Sequence, residues 1–248
     1  MLRTWFLALQ FCTILPVPRS GATPTVDDLR RSVIWYPAVG VMLGAAQWLV
    51  QSIASHWLPA SLTAGLGVLA LTVLTGGLHL DGLMDTMDAV GSRQRGDAAL
   101  DIMKDSRVGA MGVLAAIFAI GLKAAASAAV PASDWLPFLW VPCVSRAGLV
   151  ASMNLAGAAR PGQGLGAIFA RQVPWWVVTC AVGTPFLLLA LGGAPVKYLM
   201  ATAGMGLWMW ACVSWLARRF GGMTGDTYGG LHEMLEVGGF VIAAALSR

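Results

Sequence analysis

Residues 57–88 read WLPASLTAGLGVLALTVLTGGLHLDGLMDTMD. From 57 to 78 there is no charged residue, and the end of the stretch carries Asp81, Asp85 and Asp88. An apolar run of this length is a candidate membrane-crossing helix, because about 20 residues rising 1.5 Å each cover the hydrocarbon of a bilayer. The aspartates follow at i, i+4 and i+7, which on a helix places them within about 60° of one another on a single face. Carboxylates held that close repel, so a cation must offset them or one of them must keep a proton. A donor set made only of oxygen suits Mg²⁺ or Mn²⁺ better than zinc.

The rest of the chain is of the same character. Its 248 residues are 57% hydrophobic and 11% charged, with a mean hydropathy of +0.71. A soluble domain is about 25% charged, so this is the composition of an integral membrane protein. Seven apolar runs, near 33–53, 57–78, 108–130, 135–155, 173–191, 196–216 and 231–246, predict an all-α, polytopic fold of about seven transmembrane helices. Residues 4–15 are too short to span and predict an interfacial or re-entrant helix at the N-terminus. Bulky residues and prolines stand where a signal-peptide cleavage site would lie. No repeat or low-complexity segment divides the chain, so residues 1–248 read as one membrane-embedded catalytic domain.

The net charge is +4, but the basic residues are scattered at the ends of apolar runs. That pattern signals topology rather than nucleic-acid binding, and no nucleic-acid partner is expected. With the N-terminus inside, Arg3, Arg19, Arg30, Arg31, Arg93, Arg95, Lys104, Arg107, Arg160, Arg171, Arg218 and Arg219 fall on the cytoplasmic side, against Lys197 and Arg248 opposite. The positive-inside rule then predicts a multi-pass membrane protein whose long polar loops share the cytoplasmic face. The four cysteines, Cys12, Cys143, Cys180 and Cys212, are far apart and read as small apolar residues rather than ligands or disulfides.

Three further constellations carry candidate chemistry. In 97–107, Asp97, Asp101 and Asp105 recur every fourth residue beside Lys104 and Arg107. Part of this is an ordinary ion-paired helix, while the two cations are suited to phosphate oxygens. Residues 221–230, GGMTGDTYGG, form a glycine-rich stretch around Thr224, Gly225 and Asp226 that can expose backbone N–H groups to phosphate or serve as a flexible turn. Glu233 and Glu236 lie at i, i+3 inside the last apolar run, and Arg146 lies inside the fourth and needs an anionic partner. Lys123, in the third run, is expected to snorkel to the interface. His79 and His232 flank the acidic groups, and Arg160 sits among Gly162, Gly164 and Gly166.

Residues 76–88, GGLHLDGLMDTMD, resemble the signature GG-[FL]-H-x-DG-x-x-DT-x-D of the cobalamin-5′-phosphate synthases, or adenosylcobinamide-GDP ribazoletransferases. Further matches are MKDSRVG at 103–109, ARP at 159–161 with GLG at 164–166, GMTGDTYGG at 222–230 followed by Glu233 and Glu236, and FCTILPVP at 11–18. Ala89 after Asp88 and Gly230 in place of alanine depart from the pattern without removing a charge. The resemblance implies a Mg²⁺-dependent phosphotransferase of late cobalamin assembly, with adenosylcobinamide-GDP and α-ribazole or its 5′-phosphate as substrates and GMP leaving. It implies Asp81, Asp85 and Asp88 as the metal ligands, and Lys104 and Arg107 as catalytic cations, with Arg146 beside them. His79, Asp105, Arg160, Thr224, Gly225 and Asp226 are then expected to bind substrate, and Asp88 or Glu233 to accept the ribose proton. Membrane lipid is the remaining partner, and self-association into a homo-oligomer is left open. A CDP-alcohol phosphotransferase fits less well, because the AR dipeptide of that pattern is missing between the aspartates. A cation transporter fits less well because no internal repeat is visible.

Overall fold

The computed structural model describes residues 1–18, 23–105 and 107–247. Arg19, Ser106, Arg248 and the side chain of Leu165 lie outside the described residues. Among the described residues the chain is all helical, with one isolated parallel bridge between Ala158 and Met223. The helices are α1 (Leu2–Cys12), α2 (Val26–Ser32), α3 (Tyr36–Ala54), α4 (Ala60–Thr75), α5 (Leu78–Gly91) and α6 (Gly96–Met103). They continue with α7 (Ala110–Ala128), α8 (Leu136–Ser152), α9 (Gly164–Phe169), α10 (Trp175–Leu191), α11 (Val196–Phe220) and α12 (Gly225–Leu246).

The seven apolar runs all contain helices, but the expected count of about seven spans is not reached. Among the described residues four segments are long and apolar enough to cross a membrane, Val26–Ala54 (α2 running into α3), α7, α11 and α12, or five if the bent pair α4 and α5 counts as one. The apolar helices α8 and α10 are shorter, at 17 residues each. The run ending in the aspartates is not one helix, since α4 and α5 meet at 92°. Gly76 and Gly77, at φ 63° and 69°, make the corner in left-handed conformations that a residue with a Cβ adopts only at a cost. The carboxylates therefore lie on a separate 14-residue helix, too short to span, set across the end of the bundle.

The glycine-rich stretch also differs from expectation. It is the first turns of α12, which begins at Gly225 rather than at 231. Thr224 Oγ1 accepts from the Thr227 amide at 3.1 Å, and Thr227 Oγ1 accepts from the Thr224 amide at 2.7 Å. This reciprocal cap satisfies two backbone donors and starts the helix there. At the N-terminus of α2, Thr25 and Asp28 make the corresponding pair. The N-terminal helix α1 packs on this region, with Phe11 stacked on Tyr36 at 5.6 Å and Trp35 Nε1 donating to Thr4 Oγ1 at 3.1 Å.

α8 and α12 form the centre. Phe138, Trp140, Val141 and Val150 on α8 and Leu231, Leu235 and Phe240 on α12 are buried, whereas Ile117, Phe118, Leu207 and Trp210 on α7 and α11 face outward. A surface of that kind suits lipid. Small residues bring backbones together where helix packing has no water to exclude: a Cβ at Gly44 of α3 would lie 2.2 Å from the Phe138 carbonyl oxygen of α8. Gly44→Ala should therefore force α3 and α8 apart and lower stability by about 1–3 kcal/mol. Gly204→Ala, where nothing lies within 4 Å, should leave it unchanged; chemical unfolding of both variants in detergent micelles provides the comparison.

Candidate active site

Three recesses join at the end of the bundle where α5 meets the start of α12. An open trough of about 550 Å³ is bounded by Ile14, Leu78, Leu80, Asp81 and Met84. It shares Phe11, Leu78 and Asp81 with a chamber of about 140 Å³ whose walls include His79, Met153, Phe169, Asp226 and Tyr228. The chamber shares Gly166, Gly225 and Asp226 with a cleft of about 320 Å³ that carries Lys104, Arg160, Gln163 and Thr224. Asp81 stands at the first junction and Asp226 at the second. The path thus runs from a trough that mixes apolar residues with Gln10, Thr13 and Thr75, past carboxylates, to a basic end.

The carboxylates feel one another. The Asp85 carboxyl is pushed up to about 6, first by burial and then by the charges of Asp81, Asp226 and Asp88. Asp81 is exposed and Asp85 partly so. Asp88 is committed elsewhere: its Oδ2 accepts from the Gly109 amide and its Oδ1 from the Gly112 amide, both at 2.7 Å. It thereby ties α5 to the start of α7 and satisfies amides that a helix N-terminus leaves unpaired. Asp81, Asp85 and Asp88 are not drawn to within 4.8 Å of one another as a ligand trio; among the described residues only His232, Glu233 and Glu236 are.

That second group already holds a cation. Lys123 Nζ lies 2.7 Å from Glu233 Oε2 and 3.1 Å from Glu236 Oε2, and Arg146 Nη1 lies 3.4 Å from Glu236 Oε1. All four side chains are buried. Lys123 does not snorkel, because two carboxylates meet it inside the bundle. Glu233 and Arg146, expected as a proton acceptor and a phosphate-binding cation, are both paired within this cluster. Asp88, expected as a metal ligand or base, has both oxygens bonded to amides. The cluster bears on the site through rings, since His232 stacks on His79 at 4.0 Å. Burial holds the His79 imidazole down to about 3, so it is neutral at ordinary pH.

The outer cations divide. Arg160 Nη2 donates to Asp101 Oδ1 at 2.5 Å, joining the 159–166 loop to α6, and it still lines the cleft beside Lys104. Arg107 is turned to Asp105 at 2.7 Å, which holds that carboxyl down to about 2; neither lines the three recesses. Thr224, Gly225 and Asp226 do line them. Phe11, Met153, Phe169 and Tyr228 were not foreseen as site residues, since single apolar residues on four separate elements leave no periodic signal.

The model of the family described as cobalamin-5-phosphate synthase matches residues 4–244. The chain belongs to this family. Among similar proteins, the adenosylcobinamide-GDP ribazoletransferase of Klebsiella pneumoniae (strain 342) is 34% identical over 96% of this chain and 97% of its own length. Those of Leptothrix cholodnii and Syntrophobacter fumaroxidans are 36% and 38% identical, over 96% and 93% of this chain and 94% and 93% of theirs. No solved structure matches. For this cobalamin-5-phosphate synthase family member the three recesses are the features that a large, multipart substrate can use.

Two outcomes follow from the geometry. Lys123→Met should destabilise the fold by about 3–5 kcal/mol by leaving buried carboxylates uncompensated. Adding Glu233→Gln should recover part of it, as read by chemical unfolding in micelles. In metal-free buffer the folded state keeps the Asp85 proton up to about pH 6, while the unfolded chain releases it near 3.8. Its contribution is therefore full below about pH 4 and lost as pH rises to about 6. Melting temperature across that window should fall less in Asp85→Asn than in the parent.

Proposed function

We propose that the chain transfers the adenosylcobinamide-phosphate group of adenosylcobinamide-GDP to α-ribazole or its 5′-phosphate and releases GMP. The observation that carries this reading is the family match from 4 to 244, with relatives of that name covered over nearly their whole length. The recesses support it, because carboxylates flanked by Lys104 and Arg160 suit a diphosphate better than a lipid headgroup alone. Carboxylates gathered at one end of the bundle also count against a transporter, whose sites lie near the midplane.

Asp81, Asp85 and Asp226 offer a hard divalent cation oxygen donors that sense one another's charge, although, like Asp81, Asp85 and Asp88, they do not come within 4.8 Å of one another as a trio. Mg²⁺ bound there supplies positive charge to the diphosphate oxygens. The remaining work falls to side chains. Lys104 and Arg160 neutralise and orient the GMP portion. A ribose hydroxyl oxygen forms the new bond to the phosphorus of the adenosylcobinamide phosphate, the bond from that phosphorus to the GMP oxygen breaks, and the hydroxyl proton passes to one of the carboxylates that line the chamber, Asp81 or Asp226. The protein is proposed to sit in the bacterial inner membrane with this end facing the cytoplasm, in keeping with the positive charge of Arg93, Arg95, Lys104, Arg107 and Arg160.

Protein reconstituted in liposomes with adenosylcobinamide-GDP, α-ribazole and Mg²⁺ should release GMP. Asp226→Asn should lower kcat/KM about 100-fold or more, the scale set by removing one charge-stabilising group. Absence of GMP from the parent, or full activity in Asp226→Asn, would count against this assignment.

A further inference from the structure

The three recesses differ in size and chemistry enough to be assigned to different parts of the substrates. We infer that the chamber between Phe11, Phe169 and Tyr228 receives the flat heteroaromatic base of the ribazole nucleoside. This assignment rests on the reaction proposed above and adds to it the place where the acceptor is selected.

Size decides first. The chamber measures about 140 Å³, and an apolar cavity of about 150 Å³ is known to hold a single benzene ring. With its open mouth it takes one small fused-ring system and excludes a corrin. The macrocycle is left with the trough of about 550 Å³ on the other side of Asp81.

Polarity decides next. Guanine carries an amine, a carbonyl and ring N–H groups, each of which needs a partner when buried. The chamber offers mainly Phe11, Met153, Phe169 and Leu149, whereas the cleft beyond Asp226 offers Gln163, Arg160 and Lys104. Guanosine phosphate therefore belongs to the cleft, and a benzimidazole, with an apolar carbocycle and a ring nitrogen, belongs to the chamber.

The walls are suited to a flat ring. Phe11 and Phe169 stand edge to face at 6.4 Å, with an interplanar angle of 71°, and Phe11 is backed by its stack on Tyr36. Tyr228 is buried, yet its hydroxyl has no hydrogen-bond partner among the described residues. The oxygen itself is buried away from the chamber, so Tyr228 lines it with ring atoms rather than with its hydroxyl. Asp81 and Asp226 line the chamber where it meets the trough and the cleft, so a base seated inside has its ribose within reach of a carboxylate and the diphosphate.

Equilibrium binding of α-ribazole alone to the full-length protein in detergent, together with steady-state kinetics, tests the assignment. Phe169→Ala should raise the Kd and KM for α-ribazole about tenfold while changing the KM for adenosylcobinamide-GDP less than twofold. It should also shift preference towards a nucleoside with a bulkier, three-ring base. Tyr228→Phe, which keeps the ring that lines the chamber, should leave the Kd for α-ribazole within twofold. GMP should not displace bound α-ribazole. Competition by GMP, or a rise in the KM for adenosylcobinamide-GDP equal to that for α-ribazole, overturns the assignment, as does α-ribazole binding indifferent to Phe169→Ala. If α-ribazole binds with this sensitivity but no GMP is released, the chamber stands and the proposed reaction falls.

Discussion

Four buried charges hold the centre of this protein together. Lys123 on α7 and Arg146 on α8 meet Glu233 and Glu236 on α12. Two positive and two negative side chains cancel, which is the condition under which ions survive in an apolar interior. The cluster joins three helices at the middle of the bundle. From there α12 extends back to Asp226 and Tyr228, and the His79–His232 stack passes support to α5. The geometry at the end of the bundle is thus set by electrostatics deeper inside it. Apolar packing alone leaves helices in lipid free to slide or rotate, because lipid tails are as apolar as leucine.

This arrangement explains why residues that look catalytic by type are not all placed to act. A glutamate in a membrane helix is costly, and cost invites the reading that it serves chemistry. Glu233 and Glu236 meet that cost by pairing, and Asp88 by accepting two amides of α7. The charged groups on the open walls are Asp81, Asp226, Lys104 and Arg160. They occupy different helices and loops, so the site exists only once α5, α6, α12 and the 159–166 loop have docked.

Much of this was legible in the sequence, for stated reasons. Apolar runs of membrane length announce helices directly, and the aspartate spacing announced one helix face. The coupling of Arg146 to acidic partners was also readable, from the rule that an intramembrane charge seeks its opposite. Counting both signs would have paired Lys123 as well, since two cations and two carboxylates lie within apolar runs. The corner at Gly76–Gly77 was not legible, because Gly-Gly is tolerated within membrane helices and a break there follows from docking on α12. Nor was the chamber, whose Phe11, Met153, Phe169 and Tyr228 come together from α1, the end of α8, α9 and α12. The start of α12 was placed late because glycines suggest a loop, while the Thr224–Thr227 cap outweighs their weak helix preference.

The bonds from Asp88 to the start of α7 also bear on how such a sequence can vary. A Cβ at Gly109 would lie 2.3 Å from Asp88 Oδ1, and one at Gly112 would lie 2.5 Å from Asp88 Oδ2. A side chain at either glycine displaces the carboxylate, and loss of the carboxylate strands the amides. Positions 88, 109 and 112 are therefore a single heritable unit, and drift at one of them alone meets an immediate penalty. Across descendants of this chain, those three positions should change together or not at all, whatever becomes of the residues between them.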